Sequence, residues 1–289
     1  MRLARLGALG SERPVILDGS RTLDASSVTA DFDGEFFGSG GLDRLRTALA
    51  DGSLPEAEQR PRSAGSPRER VGSPIARPGT VICVGMNYAE HAAESGAAPP
   101  EVPIIFHKTP NTVVGPDDPV TIPPGSTKTD WEVELGVVIS RRAGYLASPS
   151  ASLDHVAGFV LCNDLSERDF QLAVSGGQWS KGKSSPGFCP TGPWLVTPDE
   201  VDQDDLRLRS WVNGEPRQDS TTADMIFSVE HLIWDLSQYL TLEPGDLLLT
   251  GTPRGVALSG RFPYLRAGDT VSLSIDGLGE QHQEVVAHG

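Results

Sequence analysis

Cysteine is scarce, with Cys83, Cys162 and Cys189 alone in 289 residues. An odd and widely spaced set builds neither a disulfide framework nor a Cys-x-x-Cys metal knuckle, so the expected compartment is a reducing cytoplasm. Positive charge is short as well: 24 Lys and Arg stand against 39 Asp and Glu, a net charge of −15. That acid excess argues against nucleic acid or an anionic membrane as partner. No apolar run approaches the ~20 residues that span a bilayer. Met1-Arg2-Leu3-Ala4-Arg5-Leu6 lacks the apolar stretch of a signal peptide before Ser11-Glu12-Arg13-Pro14, so the expected protein is neither exported nor embedded. Also missing are a Walker loop, an HExxH helix and a Gly-x-Ser-x-Gly elbow. Gly38-Ser39-Gly40-Gly41 has neither the spacing nor the preceding strand of a dinucleotide loop.

What remains is a globular composition, 38% hydrophobic and 22% charged, long enough for two ordinary domains or one large one. The 32 glycines and 23 prolines imply many turns and short strands. Near the N-terminus, Val15-Ile16-Leu17 is stopped by Asp18-Gly19, and Leu42, Leu45 and Leu49 recur at helical spacing, which suggests a small α+β unit. Residues 51–79 are rich in Pro, Gly, Ser, Arg and Glu and read as an exposed connector. We therefore divide the chain into a small N-terminal domain with its connector, residues 1–70, and a larger domain, residues 71–289. In the larger part, apolar runs of strand length occupy residues 79–85, 131–139, 156–162, 194–196, 206–212, 246–249 and 271–275. Helices are expected after an Asn87 N-cap with Glu90 three residues on, and over 166–175 and 228–240. The fold class is α+β and strand-dominated, with too few helices for a doubly wound sheet.

The stretch Asp130-Trp131-Glu132-Val133-Glu134-Leu135-Gly136-Val137-Val138-Ile139 carries the most information. On a strand, Trp131, Val133, Leu135, Val137 and Ile139 share one face, and Glu132 and Glu134 share the other, roughly 7 Å apart. Gly136 and Val138 continue that face without a basic residue, so the two acids repel. A divalent cation would relieve the repulsion, and oxygen ligands indicate Mg²⁺, Mn²⁺ or Ca²⁺ over zinc. A third acid, Asp164, follows an apolar strand that ends in Asn163. Ser166, with Asp169 three residues on, can cap the next helix and leave Asp164 free as a ligand. His91 and Glu94 are three apart on a helix, so the carboxylate can orient the imidazole and favour its protonated form. Taken singly, a Glu-x-Glu is commonly a solvated strand face and a His-x-x-Glu a surface pair. Two anion-binding candidates are Lys183, in a glycine-flanked loop, and Thr250-Gly251-Thr252, whose hydroxyls and N–H groups could grip a carboxylate or enolate.

In chain order, Asn87-Tyr88-x-x-His91-x-x-Glu94, Glu132-Val133-Glu134-Leu135, Asn163-Asp164-x-Ser166-x-Arg168-Asp169-x-Gln171, Gly182-Lys183-Ser184, Gly192-Pro193-Trp194 and Gly245-Asp246-(x)3-Thr250-Gly251-Thr252-Pro253 resemble the fumarylacetoacetate hydrolase family. The resemblance covers roughly residues 79–285 and looks most like the branch of ureidoglycolate lyases and 2,4-diketo-3-deoxy-fuconate hydrolases. It implies a mixed β-sandwich roll, usually dimeric, with Mg²⁺ or Mn²⁺ held by Glu132, Glu134 and Asp164. It also implies that His91 and Glu94 activate water on a flap of about residues 88–102. Arg168, Gln171, Lys183 and Thr252 would hold the ligand, with Lys183 counted among the catalytic groups too. Ser185-Pro186-Gly187 departs from the x-Asp-Thr that often follows Gly-Lys-Ser in the family. The activity implied is metal-dependent hydrolysis of a C–C bond in a 2,4-dioxo acid, a small-molecule oxo-acid substrate. A decarboxylase, a hydratase or isomerase and a ureidoglycolate-type lyase use the same scaffold. A catalytically silent metal-binding member is the reading of another class, and the presence of both His91 and Glu94 beside three acids argues against it.

Overall fold

The computed structural model describes residues 1–57, 69–94, 96 and 98–289. Part of the expected connector, and residues 95 and 97 of the expected flap, lie outside the described residues. Every strand expected in the larger part forms, within one or two residues of the expected bounds.

Two sheets carry the fold. The first has ten strands, and its path runs through Arg21–Asp24, Arg13–Asp18, Arg2–Leu6, Leu195–Val196, Val156–Asn163, Val133–Ile139, Leu247–Leu249, Val81–Gly85 and Ile104–Lys108. Val71–Gly72 pairs with Arg2–Leu6 off that path. The second sheet orders Glu215–Thr221, Arg207–Val212, Thr270–Ile275, Gly279–Val286 and Val120–Thr121. The N-terminal hairpin is thus joined to the rest by backbone pairing, with Leu3 opposite Leu195.

Period-2 alternation of the Val133–Ile139 strand serves two cores. Val133, Leu135, Val137 and Ile139 pack with Leu208, Leu273 and Ile275 of the second sheet and with Leu232 and Leu236 of the Val229–Ser237 helix, which Ser228 caps. Val138 faces the other way, into a core completed by Phe32, Phe36 and Leu45 of the N-terminal part. A strand buried on both faces cannot leave Glu132 and Glu134 in solvent. They are 4% and 1% exposed.

Two expected helix starts are corrected. The first helix is Ala89–Glu94 and Asn87 does not cap it. Its side chain instead donates to the carbonyls of Thr250 and Phe227 and accepts from the Phe227 N–H, which ties two distant loops to the end of Val81–Gly85. At residue 166 a two-residue strand, Ser166–Glu167, comes first and pairs with Thr129–Asp130. The turn that follows, Asp169–Ala173, is π-helical, and its free Phe170 N–H is capped by the Glu167 carboxylate at 2.6 Å rather than by Ser166.

Candidate metal and substrate site

Register sets the acid cluster. Glu134 lies opposite Cys162 and Val133 opposite Asn163, so Asp164 continues the neighbouring strand just where Glu132 begins this one. The Asp164 N–H donates to the Glu132 carbonyl at 2.9 Å. Glu132, Glu134 and Asp164 each offer a carboxylate oxygen, and these oxygens lie within 4.8 Å of one another. A cavity of about 330 Å³ opens over Glu132 and Glu134, lined also by His91, Glu94, Arg168, Gln171, Lys183 and Thr252. Eight of the nine candidate residues therefore line one cavity. The ninth, Asp164, is fully buried and bonded to Lys183.

The expectation that the two glutamates have no basic partner is corrected for Glu132 and stands, among the described residues, for Glu134. Glu132 receives Arg168 and Lys183, each at 2.6 Å, and Lys183 also reaches Asp164 at 2.7 Å. Lys108, on the edge strand Ile104–Lys108, bonds Asp164 at 2.6 Å and the Leu165 carbonyl at 3.0 Å. Sequence reasoning missed Lys108. The signal was the alternation in Ile104-Ile105-Phe106-His107-Lys108, where Phe106 and Lys108 share the inward face.

Asp130, Glu132 and Asp164 are thus matched by Arg168, Lys183 and Lys108. Burial would raise the Glu132 carboxyl, but Lys183, Arg168 and His91 overcome it and hold the group far below the usual carboxylate range. Burial pulls Lys183 down, yet Asp164 and Glu132 outweigh that and keep it protonated, which makes it a fixed charge rather than a base. Glu134 is the acid without a cation at ion-pair distance among the described residues. Burial, with repulsion from Asp164 and Glu132, pushes its carboxyl well up, against the pull of Lys183 and a 2.8 Å bond from the Gly251 N–H. A convergent set of hard oxygens, one of them on a carboxyl whose charge no Lys or Arg among the described residues pairs, fits a divalent cation of the Mg²⁺ or Mn²⁺ type.

Asp130 is the second group that sequence reasoning passed over. Fully buried, its carboxylate accepts from the N–H groups of Trp131, Ala257 and Leu258 and from Arg168 Nε at 2.8 Å. Arg168 is thereby clamped between Asp130 and Glu132, and its third nitrogen donates to the Gln171 amide oxygen at 2.9 Å. Because arginine only donates, the amide NH₂ is the polar group left to Gln171 at the cavity. Gly182, just before Lys183, is required by close approach: a Cβ there would come within 2.4 Å of the Gln171 nitrogen and the Glu167 oxygen.

Thr252 lines the cavity, but its hydroxyl proton goes to the Val133 carbonyl at 2.9 Å and its oxygen accepts from Gln218 at 2.8 Å. Thr250 likewise donates to the Leu135 carbonyl. The two hydroxyls serve the end of the strand, so the expected hydroxyl grip on an anion is not what they do here. Ser185, Pro186 and Gly187 do not line the cavity, so the departure after Gly-Lys-Ser falls outside it.

His91 and Glu94 share the cavity-facing side of the Ala89–Glu94 helix, with Nδ1 3.8 Å from Glu94 Oε2. That Nδ1 is buried without a hydrogen-bond partner, which leaves Nε2 as the ring nitrogen for chemistry. Glu94 is fixed from the other side by the Gly255 N–H at 3.0 Å and Arg261 at 3.5 Å. Burial raises its carboxyl, but His91, Gly255 and Arg261 together bring it below the ordinary value.

With this geometry in hand, likeness to known proteins becomes informative. The sequence model described as "Fumarylacetoacetate (FAA) hydrolase C-terminal" matches residues 80–286. A Burkholderia ambifaria protein named "Putative hydrolase" is 46% identical over 289 residues, 98% of each chain. Among solved structures, 5-carboxymethyl-2-hydroxymuconate delta-isomerase from Mycobacterium smegmatis superposes with a TM-score of 0.76 at 32% identity, covering all of both chains. Maleylpyruvate hydrolase from Sphingobium sp. SYK-6, solved with manganese(II) and pyruvate, gives 0.78 at 27% identity with the same coverage. The strand-dominated α+β architecture matches these neighbours, and a family match over most of the chain leaves one assignment: this protein belongs to the fumarylacetoacetate hydrolase family.

Proposed function

We propose that the chain hydrolyses a carbon–carbon bond in a 2,4-dioxo acid of the acylpyruvate type. The observation that carries this reading is the placement of the His91–Glu94 pair on the cavity that Glu132 and Glu134 line, with the Asp164 carboxylate converging on them from behind. Glu132, Glu134 and Asp164 would hold Mg²⁺ or Mn²⁺, which when bound supplies a Lewis acid for the oxo-acid end of the substrate. The manganese and pyruvate of the maleylpyruvate hydrolase neighbour support both the metal and the substrate class.

The remaining chemistry belongs to side chains. Gln171 donates its amide NH₂ to the substrate carboxylate, and the clamped Arg168 and Lys183 provide fixed positive charge beneath it. His91 Nε2 takes a proton from water, while Glu94 stabilises the resulting imidazolium through Nδ1. The water oxygen attacks C4, the C3–C4 bond breaks, and its electron pair stays on C3 as an enolate. The proton held on Nε2 is then delivered to C3, giving pyruvate and a carboxylic acid. A homodimer belongs to the same reading by family resemblance, and a cytoplasmic location by the scarcity of cysteine.

The isomerase neighbour favours a second reading, in which His91 shuttles a proton between carbons and no water is consumed. Assays with acylpyruvates, oxaloacetate and a diketo-deoxy sugar acid, run with Mg²⁺ and with EDTA, separate the two. Metal-dependent pyruvate release from an acylpyruvate is expected; turnover of none of them would overturn the hydrolase reading.

The flap expectation gives a further prediction. Outside the cavity the Ala89–Glu94 helix is gripped by Arg254 on Glu90 and Arg261 on Glu94, pairs whose arginines are more than half exposed. The Arg254–Glu90 pair is exposed on both sides, and exposed pairs hold weakly, so hydrogen exchange of Ala89–Glu94 should slow when oxalate and Mg²⁺ are added. Equal protection with and without them would rule out a ligand-ordered flap.

A further inference from the structure

The lining of the cavity is mixed, with charged and apolar side chains. Besides the polar groups the cavity is lined by Val84, Met86, Phe106, Leu172, Trp179 and Leu258, and Lys183 Nζ lies over the Phe106 ring, 4.9 Å from its centroid. Phe106 and Trp179 pack edge to face with ring centroids 5.6 Å apart. This arrangement depends on Gly85, where a Cβ would come within 2.4 Å of the Trp179 ring. Leu172 projects from the π-turn and stays 42% exposed.

Cations decide the rest. The cavity's permanently charged basic groups are Arg168 and Lys183, and each already binds two carboxylates of the protein. Arg254 and Arg261 reach the Ala89–Glu94 helix, but they pair with Glu90 and Glu94 and do not line the cavity. A second carboxylate on the ligand would therefore meet no free Lys or Arg in the lining of this cavity, and burying an unpaired charge is costly. A terminal methyl or short alkyl group would instead gain from burial.

We infer that this cavity selects 2-oxo acids with one carboxylate and a compact apolar far end, and discriminates against those that end in a second carboxylate. The inference rests on the oxo-acid reading above and adds the substituent at the far end.

Binding tests it without turnover. Calorimetry with Mg²⁺ present would compare 2-oxohexanoate with 2-oxoadipate, which share a six-carbon chain and differ in a terminal methyl against a carboxylate. The monoacid should bind at least about tenfold more tightly. In Leu172→Arg, where the exposed position tolerates the new side chain, the gap should narrow by about tenfold through tighter 2-oxoadipate binding. Equal or tighter binding of 2-oxoadipate by the unaltered protein would overturn the inference, as would an unchanged ratio in Leu172→Arg. Selective monoacid binding without turnover of any acylpyruvate would uphold the inference and sink the hydrolase reading. Turnover with no preference for the monoacid would do the reverse.

Discussion

Replacing His91 by Ala should lower kcat by about 10²–10⁴-fold, the usual loss when a positioned general base is removed. The imidazole lines the cavity and its buried Nδ1 faces Glu94, so Glu94→Gln keeps the shape and removes the charge that stabilises the imidazolium. A strong loss is expected there too, with metal affinity nearly unchanged in both variants. The double variant should be little worse than His91→Ala alone, because residues that act as one unit give non-additive losses. Steady-state kinetics on an acylpyruvate would show this. Fully additive losses would mean that the two side chains work separately, and the dyad would have to be given up.

Lys108→Met should destabilise the metal-free protein by about 3–5 kcal/mol, the range for breaking a buried ion pair by removing one partner. The Lys108 side chain is wholly buried, and methionine nearly fills its volume, so a packing defect contributes little. Its loss strips Asp164 Oδ1 of a 2.6 Å partner and leaves the Leu165 carbonyl without its bond from Nζ. Denaturant titration in EDTA measures the effect. A loss under about 1 kcal/mol would mean that Lys183 alone satisfies Asp164 and that Lys108 is dispensable to the cluster.

The parts of the site that were legible in the sequence are those set by short-range geometry. Period 2 alone puts Glu132 and Glu134 on one strand face, and helical spacing alone brings His91 to Glu94. Asp164 was readable because an apolar run ends just before it. What stayed hidden depends on partners distant in sequence: Lys108 meets Asp164 across 56 residues, and Asp130 meets Arg168 across 38. The same holds for hydroxyl direction. Thr252 looked like an anion donor until Val133, 119 residues away, proved to take its proton. The strands of the larger part were legible for the same local reason, since apolar runs with turn-rich flanks need no distant information. The pairing of Leu3 with Leu195, which makes the N-terminal hairpin part of the main sheet, joins strands far apart in sequence, and no local pattern shows which strands pair.

The central claim is that Glu132, Glu134 and Asp164 together form one divalent-cation site. The most direct test is calorimetric titration of Mn²⁺ into the unaltered protein and into Glu134→Ala. Glu134 is the acid whose ionised form burial and its neighbours disfavour, and it has no cation at ion-pair distance among the described residues, so its removal takes away the ligand without a competing cation. One ion per chain in the unaltered protein and none in Glu134→Ala is the predicted result; equal binding in both would contradict the site.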